Sequence, residues 1–248
     1  MAGVGFRALL LLPILLEPSR AIWLDTPYYL KLAADLAAGS FPSIVRTPLY
    51  PLFLTLFKPL LPALLAQILL GGLFAALAYR LGGLLPGLLA AFDPLQALFS
   101  GVLYTEALFS VLVLFAALLW SRGRGFWAGA VGGLACLVRP AGLALAALGF
   151  FKLRGKQKLG YFLGFSAAPA LWALRNYLYK GFFGLSTVAQ VNLLLFWTPS
   201  GPRGKVYEEY LKNPYTAAEN PRWAAEAQAA ALGDIARNPA RFALKFIK

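Results

Sequence analysis

Few side chains in this 248-residue chain can do chemistry, and their types narrow the field. Histidine is absent and cysteine occurs once, as Cys136 in an apolar stretch. That excludes Ser-His and Cys-His nucleophile pairs, imidazole proton shuttles, histidine or cysteine metal centres and an intrachain disulfide. Carboxylate, guanidinium, ammonium and phenol groups are left. Asp25 precedes Thr26-Pro27, Asp93 precedes Pro94, and Glu106 opens an apolar run. Each has an ordinary explanation beside a chemical one: Asp before Pro caps a helix, and Glu in a first turn favours the positive end of the helix dipole.

Arg139 sits within Leu137-Val138-Arg139-Pro140, inside a long apolar stretch. A membrane-centre Arg costs about 2.5 to 3.5 kcal/mol on insertion scales, so this one either snorkels from a helix end or faces a polar cavity and holds an anion. Arg46 opens Arg46-Thr47-Pro48-Leu49-Tyr50-Pro51, where two prolines stiffen the exit from a polar interval. Such a corner holds a guanidinium at headgroup depth, as an interfacial anchor or as an anion ligand. Trp23, Tyr28, Tyr29, Tyr50 and Tyr104 lie near these charges in the chain. Their rings suit stacking on sugars, and an interfacial aromatic belt gives the same composition.

The elements that must position these residues are apolar helices. Sixty per cent of the chain is hydrophobic, 13% is charged, and the mean hydropathy is +0.67. Roughly seven charge-free apolar runs, each about 10 to 20 residues long, are near or below the length that crosses a 30 Å hydrocarbon core. They are rich in Leu and Ala without alternation, which predicts an all-α membrane bundle rather than a barrel, with some spans short, paired or re-entrant.

The first run, Val4 to Leu16, reads as an uncleaved helix, because it contains Pro13, ends at Glu17 and lacks a small-residue cleavage motif. Residues 20–47 form a first polar loop, with an amphipathic helix over Tyr28–Ala38 lying on the membrane surface. Pro48–Phe57 leads into a span from Leu60 to Tyr79, and Gly82-Gly83 punctuates before a short run, Leu84–Phe92. Beyond the break at Asp93-Pro94, a span runs from Ala107 to Trp120, and Phe126–Phe151 divides into two short helices at Arg139-Pro140. A basic loop, Lys152–Lys158, precedes a last span, Leu159–Leu174, so residues 1–174 are expected to form a transmembrane core. Residues 175–248, mixed in character, are expected to lie at the surface outside the membrane.

Threading the spans alternately puts Arg7, Arg80, Arg122, Arg124, Lys152, Arg154, Lys156 and Lys158 on one side, with no acid among them. That side, carrying the N-terminus, is expected to be cytoplasmic. All ten acids fall on the other side with Arg46, Arg139 and Arg175, so carboxylates and guanidinium groups can converge there. The formal charge of +13 is scattered over an apolar chain, which favours anionic lipid over nucleic acid as partner.

One ordered series of short motifs runs through nearly the whole chain. It comprises Asp25 with Tyr28-Tyr29, Arg46-x-Pro-x-Tyr50-Pro51, Asp93-Pro94 with Thr105-Glu106-x-Leu-Phe109, Gly133-Leu-Ala-x-Leu-x-Arg139-Pro140, and Arg175-Asn176. Gly181-Phe-Phe-Gly184-x-Ser186-Thr187 with Asn192-Leu, and Asn238-Pro239-x-Arg-Phe242, follow in the tail. The series resembles the bacterial and archaeal relatives of protein O-mannosyltransferases and aminoarabinose transferases, within the GT-C superfamily of membrane glycosyltransferases. Members usually continue with further membrane helices beyond the position of Lys248, and many carry paired acids where this chain has Asp25-Thr26.

The resemblance implies a bundle of about seven transmembrane helices with an outer-facing site and a polyprenyl-phosphate sugar as donor. The acceptor is a hydroxyl of a protein, lipid or glycan. Asp25 would be the catalytic base of an inverting displacement, and Arg46, Arg139 and Arg175 would bind the donor phosphate. Asp93, Glu106, Tyr28, Tyr29, Tyr50 and Tyr104 would orient substrate. No cofactor is implied, and the single acid at Asp25 gives no support for a divalent metal. The residues themselves leave open a transporter or lipid flippase, and a non-catalytic membrane assembly subunit, and equally a homo-oligomer or a partner subunit.

Overall fold

The computed structural model describes residues 2–152, 155–202 and 204–245, and among these the regular secondary structure is all helical, with no strand. It divides into two compact units. The first comprises residues 1–42 and 47–171, and the second residues 43–46 and 172–248.

In the first unit, α1 (Ala2–Leu10) and α2 (Leu12–Leu16) replace the single first run, the break falling just before Pro13. The amphipathic stretch forms α3 (Thr26–Ala37), with Pro27 in its first turn. Tyr28, Tyr29, Leu32 and Ala33 are buried on one face, and the Lys31–Asp35 ion pair, 2.7 Å, lies on the other. The buried face meets α4 (Leu49–Leu56), where the Thr55 hydroxyl donates to the Ala33 carbonyl at 2.9 Å.

Next comes α5 (Leu60–Gly82), the one uninterrupted helix among the described residues that is long and apolar enough to cross a membrane. This supports membrane association. It ends at Gly83, whose φ of +83° only glycine adopts without strain, with the Gly83 amide bonded back to Tyr79 at 2.8 Å. Two shorter helices, α6 (Leu84–Phe92) and α7 (Pro94–Gly101), meet at Asp93 with a bend of 49° and pass the same length and apolarity test only as a pair. About seven crossings were expected; by length and composition the described residues hold this one helix and, counting the bent pair, a second.

The bend exposes main-chain carbonyls that α6 cannot satisfy itself. Arg7 of α1 supplies the donors. Its Nη1 donates to Ala91 at 2.7 Å and to Gly3 at 3.0 Å, its Nη2 donates to Ala90 at 2.8 Å, and the residue is fully buried. The charge count grouped Arg7 with the other basic residues of one side; in the structure its guanidinium is buried, closes an end of α6 and packs against Gly71, midway along α5. Replacing Arg7 by leucine leaves two buried carbonyls without donors. Each such loss costs about 1 to 3 kcal/mol, partly offset by relief of the buried charge. A clear fall in the thermal midpoint of the detergent-solubilised chain is expected, measured by circular dichroism.

α8 (Glu106–Ser121) and α9 (Gly125–Val138) run back to back, and α9 is followed by a 3-10 turn, Pro140–Leu143, and α10 (Ala144–Lys152). The last long helix, α11, spans Gly155–Lys180 with Pro169 inside it. It takes in most of the stretch expected as a basic loop, of which Leu153 and Arg154 lie outside the described residues. Gly125, Gly129 and Gly133 of α9 recur every fourth residue and so share one face. A Cβ on Gly125 would stand 2.8 Å from the Gln157 carbonyl of α11; on Gly129 or Gly133 it would collide with the Tyr161 or Phe165 carbonyl. Close backbone contact therefore sets the position of α9, and with it that of Arg139 at its end.

The second unit gathers short helices around Trp223, 1% exposed, on α15 (Pro221–Arg237) once α12 (Val188–Asn192), α13 (Lys205–Lys212) and α14 (Pro214–Ala218) have been laid down. α16 (Pro239–Leu244) follows. Asp234 ties it internally, accepting from the Ser200 amide at 2.8 Å and hydroxyl at 2.9 Å and from the Asn238 amide at 3.1 Å.

Candidate functional site

Glu106 and Arg139 meet at one end of the α8–α9 pair. Glu106 occupies the first turn of α8, and Arg139 caps the end of α9 in the extended conformation that a following proline favours. The Arg139 Nη1 donates to Glu106 Oε1, and the guanidinium carbon lies 6.0 Å from the Phe109 ring centre. Phe109 follows Glu106 by three residues, so both face the same way from α8. The Arg139 side chain is 40% exposed and that of Glu106 24%. Part of the guanidinium thus opens to the surroundings, and a group with five donors that has given one to a carboxylate keeps others for a second anion.

Asp25 and α3 are fastened near this pair through the segment preceding α8. The Thr26 hydroxyl donates to the Leu103 carbonyl at 3.3 Å, and the Leu103 amide bonds the Ala21 carbonyl at 3.2 Å. Asp25 occupies the N-cap position of α3 without capping it through its side chain, and the residue is half-buried. Thr47 carries the chain past Arg139, its hydroxyl donating to the Val138 carbonyl at 3.0 Å.

Beneath lies a buried polar line. Tyr50, with no exposed surface, donates to Gln67 Oε1 at 2.7 Å, and Gln67 Nε2 donates to the carbonyls of Val102 at 2.7 Å and Ser100 at 3.2 Å. Tyr29 stands edge-on to Tyr50, ring centres 5.0 Å apart. Tyr28, Tyr29 and Tyr50 are thus core residues rather than an open stacking platform, whereas Tyr104 is half-buried. Gln67 was not among the sequence candidates. Its signal was there to read, since it is the one polar side chain between Leu60 and Gly71.

Asp93 stands apart. Its carboxylate caps α7, accepting from the amides of Leu95 at 2.9 Å and Gln96 at 3.4 Å. It lines an apolar hollow of ≈ 830 Å³ together with Phe74, Ala78, Pro86 and Leu114. Leu114 is eight residues along α8 from Glu106, about 12 Å at 1.5 Å per residue.

Arg46 and Arg175 belong to the second unit. The Arg46 amide closes a turn on the Ser43 hydroxyl at 3.1 Å. The Arg175 Nη1 donates to the Ser43 carbonyl and to Asn176 Oδ1, at 3.0 and 2.9 Å, while its guanidinium lies 4.9 Å from the Trp172 ring and 4.6 Å from that of Tyr179. Burial lowers the Arg175 pKa from its ordinary value, against the opposing influence of Tyr179 and Glu219. The residue holds the 43–46 segment in place, helped by the Ile44 amide on Glu219 at 2.8 Å and the Thr187 amide on the Ile44 carbonyl at 3.0 Å. Among the described residues no group of three or more Cys, Asp or Glu side chains is placed to hold a metal ion.

Against known proteins, no family model matches the chain, and neither a curated protein nor a solved structure is significantly similar to it.

Proposed function

We propose that this chain is an inverting membrane glycosyltransferase of the GT-C type, taking a sugar from a polyprenyl-phosphate donor to a hydroxyl acceptor. In this reading it is a multi-pass protein with a cytoplasmic N-terminus and an extracytoplasmic site. The observation that carries it is the half-open Glu106–Arg139 pair, set at one end of two apolar helices and close to the start of α3. A lipid phosphate lies at headgroup depth, where a partly exposed guanidinium held by a carboxylate can neutralise it.

The chemistry then follows from these side chains. The acceptor oxygen attacks the anomeric carbon while the Asp25 carboxylate takes its proton. The bond from the anomeric carbon to the phosphate oxygen breaks, the electron pair stays on the lipid phosphate, and Arg139 stabilises that developing charge. Attack opposite the leaving group inverts the anomeric configuration. Glu106 keeps Arg139 aimed. Arg46 and Arg175 are not drawn on, because both belong to the second unit and Arg175 is engaged there.

The test is to incubate the purified chain in proteoliposomes with radiolabelled polyprenyl-phosphate hexoses and pentoses. Release of polyprenyl phosphate with the label transferred in inverted configuration is the expected outcome. The broken α6–α7 pair also suits a transporter or flippase. Movement of the same lipids across the bilayer with no cleavage of any donor would replace the transferase reading with that one.

A further inference from the structure

At the opposite end of the α8–α9 pair lies a second charged region, of one sign. α8 is 16 residues long, so its two ends are about 24 Å apart at 1.5 Å per residue. Arg122 and Arg124 follow it, and Lys156 and Lys158 lie in the first turn of α11; no acidic residue occurs between Glu106 and Glu208. Arg124, Trp127, Lys156 and Gln157, with Gly123 and Gly125, line a hollow of ≈ 450 Å³. Gly123 turns the chain with a φ of +71°, and Gly125 lets α9 approach the Gln157 carbonyl, which brings Arg124 and Lys156 to one cleft. α9 starts within this lining, at Arg124 and Gly125, and no side chain caps it. Trp127 is 62% exposed and Phe126 49%, aromatic surface of the kind that seats at a membrane interface.

We infer that this cleft binds the phosphate headgroup of an anionic phospholipid, with Arg124 and Lys156 pairing the phosphate and Trp127 and Phe126 lying against the acyl chains. A single anion meets two cations, a helix start and apolar surface in one hollow, and a phospholipid offers the matching pair of phosphate and hydrocarbon. The site is separate from the Glu106–Arg139 pair and does not depend on the activity proposed above.

Native mass spectrometry of the full chain in detergent tests it, with phosphatidylglycerol and phosphatidylcholine titrated in turn. Preferential retention of phosphatidylglycerol is expected, weakened about tenfold or more in Arg124→Gln/Lys156→Gln, at roughly 1 kcal/mol per basic group. The pair Arg80→Gln/Lys212→Gln removes as much charge elsewhere and is expected to bind like the parent, as is Lys156→Arg. Circular dichroism verifies that each variant is folded. Equal retention of the two lipids, or equal weakening by both double variants, would show diffuse attraction and overturn the site. Displacement by millimolar sn-glycerol 1-phosphate would show a soluble phosphate site and overturn the lipid assignment.

Discussion

Replacing Asp25 by asparagine is expected to lower sugar transfer by about 10²- to 10⁴-fold, the usual contribution of a positioned general base, while donor binding stays unchanged. The substitution keeps size and removes the negative charge together with the ability to take a proton. Because the Asp25 side chain does not cap α3, helix stability offers no competing cause of the loss. Arg139→Gln is expected to behave differently. On the proposed mechanism it loses a charge directed at the leaving phosphate, for which about 10²- to 10³-fold in turnover is expected, with a fall in donor affinity. The pair is partly exposed, so its stability contribution is about 0 to 1 kcal/mol and the variant is expected to unfold close to the parent temperature. Lysine at this position recovers little, because one ammonium cannot reproduce a planar fork shared between carboxylate and phosphate. The measurements are single-turnover rates with a labelled donor and a donor-binding isotherm. Unchanged transfer in Asp25→Asn would remove the proposed base, and unchanged donor affinity in Arg139→Gln would remove the phosphate ligand.

The second large effect is structural. Gly129→Leu is expected to prevent assembly of the α9–α11 pair, because even a single added carbon collides with the Tyr161 carbonyl. Main chain cannot move aside as a side-chain tip does, and overpacking of this kind costs about 1 to 3 kcal/mol or more for far smaller additions. Gly160→Ala is the matched control. Its added carbon would find nothing nearer than the Phe126 amide at 3.7 Å, and alanine gains helix propensity over glycine, by up to about 1 kcal/mol. The control is expected to melt at or above the parent temperature, and Gly129→Leu to yield little folded protein by size-exclusion chromatography and circular dichroism. Normal melting of Gly129→Leu would mean that α9 and α11 are not in direct backbone contact.

The features legible in the sequence were those written locally. Gly83 after the long apolar run, Pro94 after Asp93 and Pro140 after Arg139 each mark a boundary through the restrictions of one residue, and the helices end there. The helical class followed from composition for the same reason. Features that depend on distant partners were not legible. Arg7 looks like any basic flank until the carbonyls of Ala90 and Ala91 are brought to it. The lysines of 156 and 158 were read as a loop on charge alone, yet lysine is a good helix former and Gly155 is followed by an unbroken helix. At the site, the corner before Pro140 marked Arg139 as snorkelling or facing a polar cavity, but nothing local named Glu106 as its partner or buried Tyr50. Asp93 shows the reverse: the Asp-Pro pair suggested a helix cap, and the carboxylate does bond two amides of α7.

The clamp made by Arg7 has a bearing on biogenesis. Two of the three carbonyls that receive its hydrogen bonds belong to residues 83 and 84 positions later, so they do not exist when the segment around Arg7 leaves the ribosome. Until they are synthesised, that segment carries a charge without two of its buried partners, which a dry interior will not accept, so it stays hydrated. α1 therefore settles only after α6 has been made.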